Sequence, residues 1–171
     1  MNDITRLKFS AQDYYLAALE RKTEAYYLHE SGWYALSMYI SGLSIECILR
    51  AFKCIYDPTS IFDEKNDLIK LLKTSGLTKI GNEEFRIKIF KMVNRVFVVW
   101  RNNFRFFSDS KMRLYLKKIK HDRGIKGDFL KYNSKMLFEA SSEIERFRLQ
   151  KCNNLPAQIF KGRSLEKSSA L

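Results

Sequence analysis

The sequence predicts an all-α protein, a helical bundle, and three observations carry that expectation. Glycine and proline are scarce, seven and two in 171 residues, so few positions punctuate the chain as a turn-rich β fold requires. Leu, Ile, Lys, Arg, Glu and Tyr run in long uninterrupted stretches. Within those stretches apolar residues recur every three to four positions, the period of a helix with one buried face. Aromatic residues make up 14% of the chain, so the core is expected to be dense in rings. A chain of this length fits one domain that buries roughly two thirds of its unfolded surface. The expected layout is an N-terminal arm over 1–9, a bundle over 10–152 and a flexible tail over 153–171.

The first helix is expected from Ala11 to Glu30, opened by Ser10, with Tyr14, Ala17, Ala18, Ala25 and Leu28 at helical spacing. Ser31-Gly32 breaks the pattern, and Ser31 is a candidate N-cap for the next helix. That second helix runs from Trp33 to Tyr56. Tyr34, Met38, Ile45, Leu49 and Phe52 fall on one side of it and Leu36, Ile40, Leu43 and Cys47 on another. Apolar over most of its circumference, it is the expected central helix. Ser37, Ser41 and Ser44 make a small-residue strip suited to the close approach of a neighbour, within the bundle or across a dimer. Ser37, Ser41, Gly42, Ser44, Glu46 and Arg50 interrupt the apolar run, which reads as a buried helix and not a membrane span.

Asp57-Pro58-Thr59-Ser60 ends this helix, because proline cannot continue it. Asn66 or Asp67 is placed to cap a short helix, Leu68 to Thr74, that stops at Ser75-Gly76. Asn82 precedes a long helix from Glu83 to Phe107. Its stripe of Phe85, Ile89, Val93, Val96, Trp100, Phe104 and Phe107 keeps helical spacing for six turns. Ser108 to Lys120 forms one more short helix before Gly124 and Gly127 interrupt the chain. The last helix, Asp128 to Lys151, is expected to bury Phe129, Tyr132, Met136, Leu137, Ala140, Ile144 and Phe147. Beyond Asn153 the periodicity lapses, and Leu155, Ile159 and Phe160 are left to dock on a partner or on the bundle.

Charge is distributed unevenly along these elements. Between Arg86 and Lys135 lie 15 Lys or Arg against three acids, Asp109, Asp122 and Asp128, a surplus equal to the net charge of +12 carried by the whole chain. A surplus confined to one tract makes a local positive field, the footprint of a polyanion-binding face. RNA or a nucleotide is the leading partner class, with a merely solvated basic surface as the alternative. Arg95, Asn102, Lys111, Arg113, Lys117, Lys118 and Lys120 are the candidate contacts.

Other chemistries find little support. There is no Gly-rich phosphate loop, no paired-cysteine zinc pattern and no Gly-x-Ser-x-Gly elbow. His29 and His121 are the two histidines, too few for a multi-histidine metal site, so neither metal nor cofactor is expected. Three cysteines leave one unpaired in any scheme, and Cys47 and Cys54 stand about 10 Å apart on one helix, too far for a disulfide. A reducing, cytoplasmic setting without membrane attachment is the expectation. Met1 to Ser10 lacks the apolar stretch of a secretory signal.

Three features admit two readings each. Glu46 and Arg50 are either a simple i,i+4 pair or an anchor in a polar site. In Trp100-Arg101-Asn102-Asn103-Phe104-Arg105-Phe106-Phe107, two arginines four apart on a helix are placed to grip phosphate while rings stack on bases. The plainer reading makes Trp100, Phe104 and Phe107 core and the arginines solvated. His121, in KKIKHDRGIK, is a candidate general acid or base, or a phosphate contact in a basic loop.

Ser31 to Phe52, SGWYALSMYISGLSIECILRAF, resembles the central helix of HEPN domains, helical nucleotide- or RNA-associated domains. Tyr14 with Ala18 and Leu19 is similar to the first helix of that family, and Asn66-Asp67-Leu68 with Leu71 and Leu72 to its short linking helix. Trp100-Arg101-Asn102 with Arg105-Phe106 resembles its arginine-bearing helix. The resemblance implies a four- or five-helix bundle, often a homodimer with arginine-bearing helices face to face. Many members are metal-independent ribonucleases of toxin–antitoxin or anti-phage defence systems, acting beside a partner encoded alongside. Their signature is an arginine followed four to six residues later by a histidine. This chain departs from it: seven residues separate Arg21 from His29 and Arg113 from His121. The resemblance therefore implies an RNA- or nucleotide-binding domain without the usual catalytic pair. The alternatives are a divergent metal-independent ribonuclease, in which Arg101 and Arg105 stabilise the transition state and His121 carries the proton, and a non-catalytic interaction module such as an antitoxin or adaptor.

Overall fold

A computed structural model describes residues 9–57, 59, 68–79 and 82–151. The described residues form six α-helices and two 3₁₀ segments, with no strand among them. The helices are α1 (Ala11–Glu30), α2 (Tyr34–Tyr56), α3 (Leu68–Thr74), α4 (Glu83–Val99), α5 (Asp109–Lys118) and α6 (Phe129–Lys151). The 3₁₀ segments are Leu77–Lys79 and Asn102–Phe106. The all-α expectation holds. The candidate caps Asn66 and Asp67 and the tail from Asn153 lie outside the described residues, as does the side chain of Phe147.

Ser10 starts α1 with a reciprocal cap: its hydroxyl accepts from the Asp13 amide at 3.1 Å, while its own amide donates to the Asp13 carboxylate at 2.7 Å. Gly32, at φ +83°, turns the chain into α2. Ser31 does not cap α2; its amide closes the last turn of α1 on the Tyr27 carbonyl, and the Gly32 amide follows on that of His29. The cap position of α2 is Trp33, whose side chain makes no capping bond. The carboxylate of Asp109 reaches across from α5 instead and accepts from the Ala35 amide at 2.9 Å. A negative group there also suits the positive end of the helix dipole.

The serine strip on α2 is used inside the bundle. Ser37 donates to the Ala25 carbonyl and Ser44 to the Ala18 carbonyl, each at 2.8 Å. Ala18 and Ala25 are buried, so α1 and α2 approach antiparallel with little side chain between them. By length and composition α2 passes as a membrane-crossing helix, with mean hydropathy 1.3 over its most apolar window, yet 67% of that window is buried inside the bundle. Its buried residues share one core with Leu72 of α3, the Phe85, Ile89, Val93 and Val96 stripe of α4, and Leu130, Leu137 and Ile144 of α6. Tyr132, expected in the core, is instead 48% exposed, because it lies on the opposite side of α6 from Leu130 and Leu137.

The long helix expected to reach Phe107 ends at Val99. Trp100 (φ −117°, ψ 137°) and Arg101 (φ −143°, ψ 147°) are extended, and the chain resumes as the 3₁₀ turn. The break swings the Trp100 indole against α2, where its Nε1 donates to the Tyr39 carbonyl at 3.0 Å. Trp100 and Phe104 are fully buried and Phe107 partly so; the stripe is core, as its spacing implies, while its backbone is not one helix. Of the two readings of Glu46 and Arg50, the intrahelical pair is present: Nε and Nη2 of Arg50 both reach the same Glu46 oxygen at 2.8 Å.

Candidate nucleic-acid interface

The basic tract folds into α4, the 3₁₀ turn, α5, the α5–α6 loop and the start of α6. Its acids are largely consumed by structure. Asp109 caps α2, and Asp128 caps α6 by accepting from the Leu130 and Lys131 amides at 2.9 and 3.2 Å. The other oxygen of Asp128 pairs with Arg113 at 2.8 Å. That pairing holds the Asp128 carboxyl below the ordinary carboxylate range and raises Arg113 further. Arg113 is thus committed to a loop clamp, and its guanidinium also lies over the Phe129 ring at 5.4 Å.

The α5–α6 loop begins with a Schellman turn. Lys120 donates to the Lys117 carbonyl at 3.0 Å and His121 to the Leu116 carbonyl at 2.8 Å. Lys120 occupies the left-handed position where glycine is usual, at φ +62°, and it is the one non-glycine residue with positive φ among those described. Such a conformation costs a side-chain-bearing residue about 1 kcal/mol or more, and strain of this kind gathers at functional sites. Buried Asn133 fixes the same turn from α6: its Nδ2 donates to the His121 carbonyl at 3.0 Å and to the Phe129 carbonyl at 2.8 Å. The loop is therefore pinned at both ends, by Asn133 and by the Arg113–Asp128 pair.

The result is a cleft of about 540 Å³ between α4, the loop and α6, lined by Arg95, Lys120, His121, Arg123, Lys126, Tyr132 and Asn133 together with Gly124 and Ile125. Four cations converge there, and none of the described residues lining it is acidic. Such a surface binds phosphate oxygens.

Of the candidate contacts that the sequence singles out, the fold brings Arg95, Lys120 and His121 together in this cleft. Lys111, Lys117 and Lys118 are exposed on α5 outside it, and Lys117 stands 5.9 Å over the Phe129 ring. Arg101, Asn102 and Arg105 are exposed, but the two arginines do not share a helix face, because α4 has already ended. Arg101 turns back to donate to the Phe97 and Trp100 carbonyls, covering the open end of α4, and stacks on Phe97 at 4.5 Å. Arg105 lies 4.8 Å over the ring of Phe106, which is 76% exposed. The arginine of the candidate set that shares the cleft with His121 is therefore Arg95.

Arg123, Lys126 and Tyr132 escape the sequence reading. The first two sit in a loop without periodicity, and Tyr132 has the spacing of a core residue. The signal available was composition, since Lys120, Arg123 and Lys126 recur every third residue around two glycines. Among the described residues no three His, Cys, Asp or Glu side chains cluster to hold a metal ion. Comparison of the chain with protein-family models, with curated proteins and with solved structures found no match.

Proposed function

We propose that this chain is a HEPN-like domain that binds RNA or a nucleotide through its basic face, as a homodimeric component of a toxin–antitoxin or anti-phage defence system. The observation that carries the binding reading is the convergence of Arg95, Lys120, Arg123 and Lys126 on one cleft lined by no described acid. The exposed Lys111, Lys117 and Lys118 add positive charge along α5, and Phe106 with Arg105 offers an exposed ring and guanidinium. The defence setting and the dimer rest on the sequence resemblance alone.

Fluorescence anisotropy of a labelled single-stranded RNA tests the reading. Affinity falls with salt by roughly 0.7 log unit per log salt for each phosphate neutralised. The Arg123→Ala/Lys126→Ala double variant weakens binding and flattens that slope. A flat response in the wild type removes RNA as the partner, and stable copurification with an acidic protein in its place selects the interaction-module reading.

A further inference from the structure

The α1–α2 hairpin carries an apolar groove remote from the basic cleft. Tyr27 and Leu28 of α1 and Trp33, Leu36 and Ile40 of α2 line a cavity of about 500 Å³. The α1 residues that meet α6 are Tyr15, Lys22, Tyr26 and His29, so the groove opens on a different side of α1. Trp33 and Tyr27 are each 64% exposed. Leu43 and Cys47, partly buried, continue the α2 side of this surface at helical spacing. Among the described residues that line the groove, Glu24 alone is charged. A contiguous apolar surface left open in this way marks a contact site.

The course of α6 brings one apolar segment within reach. It runs antiparallel to α1: Ser134 meets His29, Phe138 meets Tyr26, and Glu145 meets Lys22 and Tyr15. Lys151, six residues and about 9 Å beyond Glu145, therefore comes level with the first turn of α1. Ser37 and Ser44 bond to Ala25 and Ala18, which sets Leu36 and Ile40 some 15–20 Å along the hairpin from that level, with about one helix diameter of 10–12 Å to cross. Phe160 stands nine residues past Lys151, an extended reach of about 30 Å, and Leu155 four residues past it, about 13 Å. Both lie outside the described residues. Charge agrees with reach. Leu155, Ile159 and Phe160 are followed by Lys161, Arg163 and Lys167 against one acid, Glu166. On the groove side of α1, Glu24 pairs with Arg21 at 2.8 Å, and Glu20, exposed one turn before it, leaves that side net negative.

We propose that residues 155–160 dock in the α1–α2 groove of the same molecule. Leu155 lies over Leu43 and Cys47, Ile159 and Phe160 fill the space between Trp33, Leu36 and Ile40, and Lys161 and Arg163 come beside Glu20 and Glu24. The contact takes the exposed Trp33 ring out of water, which is its main driving force. The inference is independent of the RNA reading, because the groove shares no residue with the basic cleft.

Tryptophan fluorescence of the full chain tests this. There are two tryptophans and Trp100 is fully buried, so emission open to acrylamide belongs to Trp33. In the wild type Trp33 is expected to be shielded, and the Stern–Volmer constant rises severalfold in Ile159→Ser/Phe160→Ser. Glu20→Lys/Glu24→Lys produces part of the same rise, with far-UV circular dichroism confirming the fold of both variants. The shielding persists on dilution. Equal quenching of wild type and tail variant overturns the docking. Shielding that is lost on dilution, together with a fall in mass by sedimentation velocity, assigns the groove to a second copy and overturns it as well.

Discussion

Trp100 and Gly42 are in direct contact: a β-carbon built on Gly42 would lie 2.0 Å from the indole Nε1 of Trp100. The indole stacks on Tyr39, with planes 13° apart, and its N–H donates to the Tyr39 carbonyl. This contact joins the central helix to the break after α4, and so decides where the basic segment beyond Val99 goes.

Gly42→Ala accordingly forces the indole out of its seat. Overpacking of this kind costs about 1–3 kcal/mol, and the variant should show a lower urea midpoint. Trp100→Phe loses the hydrogen bond and leaves the Tyr39 carbonyl without it, at about 1 kcal/mol or more from that bond. In the double variant the smaller ring makes room for the methyl group, so the combined loss is less than the sum of the two.

Lys120 carries backbone strain in the cleft. Lys120→Gly relieves the left-handed conformation and raises stability by about 1 kcal/mol, while the loss of a cation weakens RNA binding. Opposite signs in a denaturation curve and an anisotropy titration check this. A drop in both would mean that the lysine side chain supports the turn.

Arg113 and Arg123 separate structure from binding. Both partners of the Arg113–Asp128 pair are partly exposed, so Arg113→Ala costs only about 0.5–1 kcal/mol and leaves the salt dependence of RNA binding nearly intact. Arg123→Ala does the reverse. Asp128 is held below its usual range by Arg113, so the pair contributes above the unfolded carboxylate value of about 3.9 and that contribution is lost as pH falls through the folded value. Acid titration of stability should show this component in the wild type and not in Arg113→Ala.

His29 is buried between α1 and α6, with Nδ1 2.9 Å from the Ser134 hydroxyl. Burial lowers its pKa, and Lys131 and Lys135 act in the same direction, outweighing Glu30 and Glu139. The unfolded chain therefore takes up the proton first. Stability is full above the unfolded value of about 6.5 and declines as pH drops from there toward the folded value. Urea midpoints at pH 7.5 and 5.5 should differ more in the wild type than in His29→Gln.

Asp109→Ala removes the acceptor for the Ala35 amide at the start of α2. A lost cap of this kind costs about 1 kcal/mol, with Asp109→Asn retaining part of it. Thermal unfolding of the two variants ranks them.

The sequence by itself determined the helices, because helix formation follows the spacing of apolar residues and local caps. The bounds of α1 and α3, the Asn82 cap of α4 and the span of α6 were legible to within a residue or two. So was the core role of Phe85, Ile89, Val93 and Val96, while for Trp100 and Phe104 the core was one of two open readings and packing decided it. What local pattern cannot carry is a choice made by a distant residue. The α4 stripe keeps helical spacing through Phe107, yet the backbone leaves the helix at Trp100, where the indole packs on Gly42 and bonds to Tyr39. Likewise the cap of α2 comes from Asp109, 74 residues away in sequence. The basic tract was visible as a charge surplus, but its focus was not. Arg95 comes from a helix, Lys120, Arg123 and Lys126 from an aperiodic loop, and Tyr132 from the outer side of α6, and only the packing of α4 against α6 sets them around one cleft.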